Sequence, residues 1–164
     1  LPVPAAMDGR VIAEALATVP GLRGVLFDRP EVLPGAEPVL AAAGVRERCE
    51  LVAGDFFAGV PTGGDAYVLT TIIHDWPDAE ATAILRSCHR AMEPGARIWL
   101  IEQVLSPGHS DTWTDLLDLL MLVLFGARER TAAEYETLLE AAGFAEITVF
   151  PGDPPWSIVE GIRT

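Results

Sequence analysis

Ala66-Tyr67-Val68-Leu69-Thr70-Thr71-Ile72-Ile73-His74-Asp75-Trp76-Pro77-Asp78 runs from an apolar stretch directly into a polar and aromatic cluster. Ala66 to Ile73 is β-branched and almost continuously apolar, the pattern of a strand buried on both faces. Pro77-Asp78 then opens a helix expected to reach about Met92, with Ala81, Ile84, Leu85 and Cys88 on one stripe. Strand followed by helix is the unit of an α/β fold, and the sequence on either side repeats it.

Upstream, Gly9 to Val19 has helical spacing at Ile12, Ala15, Leu16 and Val19, stopped by Pro20-Gly21. Gly24 to Phe27 reads as a short strand ending at Asp28. Glu37 to Ala43 reads as a helix closed by Gly44, and Glu50 to Ala53 as a strand before Gly54-Asp55. Downstream, Arg97 to Val104 reads as a strand. Ser110 or Asp111 caps a helix reaching Phe125, and Thr131 caps another, with Glu134 in the capping-box position. Ile147 to Phe150 and Ser157 to Ile162 form a closing antiparallel pair. The expected fold is α/β, with a mostly parallel sheet and an antiparallel C-terminal hairpin.

Composition narrows the partners. A chain of 164 residues suits one domain, and 50% hydrophobic content argues for a packed core. A formal net charge of −13 repels phosphate backbones, so nucleic acid is not an expected partner. The same charge tolerates a cationic ligand. No apolar run has the ~18 residues a membrane span needs. With no basic leader before an apolar segment, the expected location is the cytoplasm. Cys49 and Cys88 lack metal-binding spacing and read as reduced, partly buried thiols, and no metal site is expected.

Ligands of parallel sheets bind beyond the carboxyl ends of the strands. Asp28, Asp55, His74 and Glu102 all fall at or near such ends. Asp28 is placed to accept bonds from a ribose diol, and equally to act as a turn or cap aspartate. Gly54-Asp55-Phe56-Phe57 offers close backbone approach, a carboxylate and an aromatic face. A turn before two core aromatics fits the same residues better on pattern alone. His74 is a base at even odds with a structural histidine. Its neighbours Asp75 and Trp76 need not touch it, since adjacent strand residues point to opposite faces. Glu102 is either at a site or at a solvent-exposed rim, and Glu129 reads ordinarily as a salt-bridged loop residue. Asp153-Pro154-Pro155-Trp156 matches a signature of adenine amino-methyltransferases. It lies between the last two strands, and we read it as a turn.

Together these stretches resemble the caffeic-acid type of O-methyltransferase, whose bacterial members tailor polyketides and other aromatic products. The likeness lies in Leu26-Phe27-Asp28-Arg29-Pro30, Gly54-Asp55-Phe56-Phe57, and Ile73-His74-Asp75-Trp76-Pro77-Asp78. It continues through Ile84-Leu85-Arg86, Pro94-Gly95, Glu102, Glu129-Arg130-Thr131 and Ala142-Gly143-Phe144. The resemblance implies a Rossmann-like methyltransferase domain over residues 1–164, using S-adenosylmethionine on a hydroxylated small aromatic molecule. Asp28 would bind the ribose hydroxyls, Asp55 and Phe56 the adenine, and Trp76 would pack beside the cofactor. His74 would be the base, flanked by Glu102 and Glu129. Asp75 and Met121 would lie on the substrate side. The full-length family form is a homodimer built through an N-terminal helical domain.

The start of the chain departs from that pattern. The first strand and its glycine-rich loop should precede the first helix, but only Asp8-Gly9-Arg10 fits the loop's end. Pro2 and Pro4 do not suit a central strand. A first strand missing or altered leaves three explanations: a fragment, a diverged chain, or a strand donated in trans. It also leaves a second function open, a non-catalytic methyltransferase-like module with impaired cofactor binding.

Overall fold

The computed structural model describes residues 9–105 and 129–164. The chain divides into two compact units, Leu1–Pro61 and Thr62–Thr164.

The first unit carries α1 (Arg10–Thr18), β1 (Gly24–Asp28), α2 (Ala36–Ala42) and β2 (Cys49–Ala53). β1 and β2 pair in parallel, from Gly24 opposite Cys49 to Asp28 opposite Ala53. Ala13, Leu16, Ala36, Leu40, Val45 and Cys49 form the core, with Ile12, Leu26, Val39 and Leu51 packed against it. The helical spacing read from the sequence is what puts Ala13 and Leu16 inside. Arg48 ties the unit together by donating to the carbonyls of Leu16 at 2.6 Å, Leu22 at 3.2 Å and Val19 at 3.3 Å. The Leu16 carbonyl is one that the end of α1 leaves without an intrahelical partner.

The second unit carries β3 (Ala66–Thr70), α3 (Asp78–Ala91), β4 (Arg97–Leu105), β5 (Arg130–Thr131), α4 (Ala132–Ala142), β6 (Phe144–Pro151) and β7 (Trp156–Arg163). Its sheet order is β3-β4-β7-β6, with β5 paired to the end of β4. β3–β4 and β4–β5 are parallel, while β4–β7 and β6–β7 are antiparallel. This is the mixed α/β sheet with an antiparallel C-terminal hairpin that the sequence predicts. Ile84, Leu85, Ile98, Leu100, Leu139 and Val159 are fully buried and form the centre of the unit. Arg86 on α3 donates to the carbonyl of Ala141 at 3.0 Å, closing the C-terminal end of α4.

Three sequence expectations change. The strand read as Ala66 to Ile73 ends at Thr70, and Ile73–Asp75 is a 3-10 turn. β3 is also not buried on both faces. Among the described residues it pairs with β4 alone, and Val68 is 46% exposed. The last hairpin is longer than expected, because β6 starts at Phe144 and absorbs an irregularity between Ala145 and Thr148, where Glu146 takes φ 50°. Asp153-Pro154-Pro155-Trp156 forms the turn of that hairpin. Trp156 N–H donates to the Asp153 carbonyl at 3.0 Å and Gly152 N–H to the Trp156 carbonyl at 3.1 Å. The segment bearing the altered first strand, the helix from Ser110 or Asp111, and Met121 lie outside the described residues.

The capping box forms as read. Thr131 Oγ1 accepts from Glu134 N at 3.4 Å, and Glu134 Oε2 accepts from Thr131 N at 2.8 Å. Thr131→Ala removes half of this exchange at the helix that follows Glu129 and Arg130. It should lower stability by about 1 kcal/mol, measured as a shift in the urea-unfolding midpoint at constant m-value.

Candidate active site

β3 ends because a side chain takes over from the ladder. Thr70 is the last paired residue, opposite Ile101, and Thr71 N–H still reaches the Ile101 carbonyl at 3.0 Å. Thr71 then takes φ 50°, an uncommon conformation for a β-branched residue. The next residue on β4 is Glu102. Its Oε1 accepts from Ile72 N at 3.1 Å and Ile73 N at 2.8 Å. The chain therefore turns, and His74 sits on that turn with Nδ1 at 2.7 Å from Glu102 Oε2.

Glu102 is fully buried. It shares a face of β4 with Ile98 and Leu100, as the two-residue period of a strand requires. Of the two sequence readings, site or exposed rim, the rim is excluded. A carboxylate only accepts, so Nδ1 of His74 carries the hydrogen and Nε2 is the nitrogen left to exchange a proton. Nε2 lies 3.2 Å from Asp75 Oδ1. Sequence adjacency alone did not require His74 and Asp75 to touch, and they do so because the 3-10 turn brings them to one side. Glu129 is buried, not an exposed loop residue, and its negative charge acts on His74. Trp76 is half-buried and lines a cavity of about 420 Å³ with Asp75, Pro77 and Glu80.

The other predicted residues belong to the first unit. Asp28 ends β1, and Gly54 N–H donates to its carbonyl at 3.0 Å. Asp55 follows β2 one residue later. One oxygen of each carboxylate is engaged locally, Asp28 Oδ1 by Arg29 N at 2.7 Å and Asp55 Oδ1 by Phe57 N at 2.9 Å. A Cβ on Gly54 would run into the Phe27 ring, so this packing calls for glycine. Phe56 and Phe57 meet edge-on with centroids 5.0 Å apart. A carboxylate keeps acceptor capacity after one such bond, so both side chains can still accept from hydroxyl or amine donors.

Residues 7–145 match the family model of the O-methyltransferase domain. The chain belongs to this family. The phenazine O-methyltransferase PhzM of Lysobacter antibioticus is 46% identical over 152 residues, which cover 93% of this chain and 45% of that protein. The crystal structure of LaPhzM has a TM-score of 0.90 at 45% identity, covering 97% of this chain and 48% of that one. NcsB1, an O-methyltransferase from neocarzinostatin biosynthesis, was solved in complex with S-adenosylmethionine and 2-hydroxy-5-methyl naphthoic acid. It has a TM-score of 0.85 at 32% identity, covering 96% of this chain and 46% of that one. The chain thus spans about half the length of these relatives. Among the described residues, no helix of this O-methyltransferase domain is long and apolar enough to cross a membrane.

Electrostatics around His74 are one-sided. Burial opposes the charged ring, but the hydrogen bonds to Asp75 and Glu102 and the charges of Glu102 and Glu129 outweigh it. The pKa is raised from 6.5 to about 10. Tyr135 of α4 is also fully buried. Burial above all, then Glu102 and Glu129, keeps its hydroxyl protonated. Sequence reasoning assigned no role to Tyr135 or to Arg130, which donates to the carbonyls of Ile73 at 2.9 Å and Trp76 at 2.7 Å. Neither carries a local signal, because one looks like a helix-stripe aromatic and the other like an exposed loop cation.

The folded pKa of His74 exceeds its unfolded value, so its contribution to stability is complete below about 6.5 and is lost as pH rises through about 10. Unfolding free energy should fall across that interval, and fall less in His74→Gln. NMR of the imidazole should show a titration far above 6.5 that moves down in Asp75→Asn. A wild-type ring titrating near 6.5 would contradict the geometry.

Proposed function

We propose that this chain is the catalytic part of an O-methyltransferase that moves a methyl group from S-adenosylmethionine to a hydroxyl of a small aromatic or polyketide-like molecule. His74 is the general base. The observation that carries this reading is the pairing of His74 Nδ1 with the buried Glu102 carboxylate, which fixes the tautomer and leaves Nε2 to take the acceptor's proton. Membership of the family and the relatives' named activities support it.

The residues present fit the cofactor. Asp28 would accept from the ribose hydroxyls, Asp55 and Phe56 would contact the adenine, and Trp76 would pack beside the cofactor. When bound, the cofactor supplies a methyl group already activated by the positive charge of its sulfonium. The protein's own residues handle the acceptor. A phenol has a pKa near ~10 and is a weak nucleophile while protonated. Nε2 accepts its proton as attack proceeds, typically worth ~10²–10⁴ in rate. Glu102 and Glu129 stabilise the imidazolium that results. Asp75 Oδ1 occupies the Nε2 side, so the acceptor hydroxyl replaces a carboxylate contact when it reaches the ring. Asp75 is half-exposed and free to turn toward the acceptor. Met121 is assigned to the substrate wall with it. Residues 1–164 form one methyltransferase domain in this reading, acting in the cytoplasm and within a homodimer in the full-length form.

His74→Gln in the full-length protein should reduce kcat by ~10²–10⁴ and leave S-adenosylmethionine binding intact by calorimetry. Asp28→Ala should do the reverse, weakening cofactor binding first. Wild-type kcat/KM should climb with pH through the neutral range, since the base works deprotonated and its pKa is raised to about 10. Unchanged turnover in His74→Gln would sink the base assignment. No cofactor binding at millimolar concentration would favour the non-catalytic module.

A further inference from the structure

Arg130 is the only fully buried arginine among the described residues. It lies in β5, between Glu129 and the Thr131 cap of α4. A guanidinium is buried only when its donors are met, and here four of the five N–H groups are spent on one short segment. Nη1 donates to the Ile73 carbonyl at 2.9 Å. Nη2 donates to the Trp76 carbonyl and to Asp78 Oδ1, each at 2.7 Å, and Nε reaches Asp78 Oδ1 at 3.1 Å. These acceptors are the first residue of the His74 turn, the residue just after it, and the first residue of α3.

The turn has little of its own to hold it. Its internal bonds, Asp75 N to the Ile72 carbonyl and Trp76 N to the Ile73 carbonyl, are 3.2 and 3.3 Å. Glu102 takes the N–H groups of Ile72 and Ile73, and Arg130 takes the carbonyls of Ile73 and Trp76. The ring of His74 is aimed by a clamp of two buried side chains of opposite charge. One comes from β4 and the other from β5, which is itself paired to β4 at Val104 and Leu105.

We propose that Arg130 is a positioning residue for the methyl-transfer reaction, holding the 73–78 segment so that His74 stays against Glu102 with Nε2 presented to the acceptor. This rests on His74 being the base. The requirement is for arginine specifically. Its planar fork serves three acceptors at once, whereas a lysine ammonium is a point charge that cannot span them. Among the described residues, the charged groups that act on the ring are Asp75 on its own turn, Glu102 on β4 and Glu129 just before β5, and Tyr135 of α4 interacts with Glu102, Glu129 and Arg130.

The test is Arg130→Lys in the full-length protein, read by steady-state kinetics and by NMR titration of His74, with His74→Gln in parallel. A ring misplaced by about 1 Å loses about 10²-fold in kcat. Expected for Arg130→Lys is a kcat lower by about that factor, KM values nearly unchanged, and a His74 titration moved toward that of a free imidazole. A folded Arg130→Lys with reduced thermal stability but wild-type kcat and His74 titration overturns the proposal, because the arginine would then be structural alone. Should Arg130→Lys not fold, Asp78→Asn loosens the same guanidinium from a half-exposed side chain. It should shift kcat and the titration in the same direction by less, and no shift in either overturns the proposal. A fully active His74→Gln refutes the base reading, whereas an inactive His74→Gln beside an unimpaired Arg130→Lys refutes only the positioning role.

Discussion

A carboxylate with no solvent access organises the second unit. Glu102 occupies a position on β4 whose neighbours on the same face, Ile98 and Leu100, are core residues. A buried charge is tolerated only when its lone pairs are met and its charge is compensated. Glu102 meets both needs from one segment, with two backbone N–H groups and one imidazole. That demand ends β3, bends the chain at Thr71 and fixes which nitrogen of His74 carries the hydrogen. The local fold and the tautomer of His74 follow from the same three hydrogen bonds.

The charge balance explains why Arg130 and His74 share the region. Glu102 and Glu129 are both buried there, and Asp75 and Asp78 stand at its edge. Arg130 is a permanent cation and engages Asp78 and the carbonyls of the turn. His74 is a conditional cation and engages Glu102 and Asp75. The acidic excess is what holds a proton on the imidazole to about pH 10. An arrangement that stabilises an imidazolium this strongly suits the general-base role proposed for His74, in which the ring becomes one during reaction. It costs availability of the neutral ring beforehand.

The elements were legible in the sequence because their periodicities are local. The stripe of Ala81, Ile84, Leu85 and Cys88, the Thr131–Glu134 capping box and the final hairpin all follow from spacing. The end of β3 was not legible, since Ile72 and Ile73 extend the apolar run without a break. The partner that meets the backbone N–H groups where the strand stops is Glu102, 30 and 29 residues away in sequence. The contact between His74 and Asp75 was hidden for the same reason, because a strand separates neighbours that a 3-10 turn brings together. Arg130 shows no burial signal at all. A basic residue between Glu129 and Thr131 reads as surface until its acceptors are known. The Asp28 and Asp55 positions were legible, as each simply follows a short apolar strand.

Register is what makes so small a clamp dependable. Side chains alternate along a strand, so a slip of one residue would carry Glu102 to the opposite face and put Ile101 or Gln103 in its place. β4 is guarded against that slip along its whole length. It pairs with β3 from Arg97 to Ile101, with β7 from Arg97 to Gln103, and with β5 at Val104 and Leu105. The antiparallel partner is fixed in turn by Glu160, which accepts from Trp99 Nε1 at 2.6 Å and Arg97 Nη1 at 3.0 Å on the same strand. The C-terminal hairpin therefore does more than close the sheet. It sets the face of β4 on which the carboxylate lies, and through it the position of His74. A reactive group held within a fraction of an ångström belongs on elements of this kind, with its supporting residues on the most heavily paired strand.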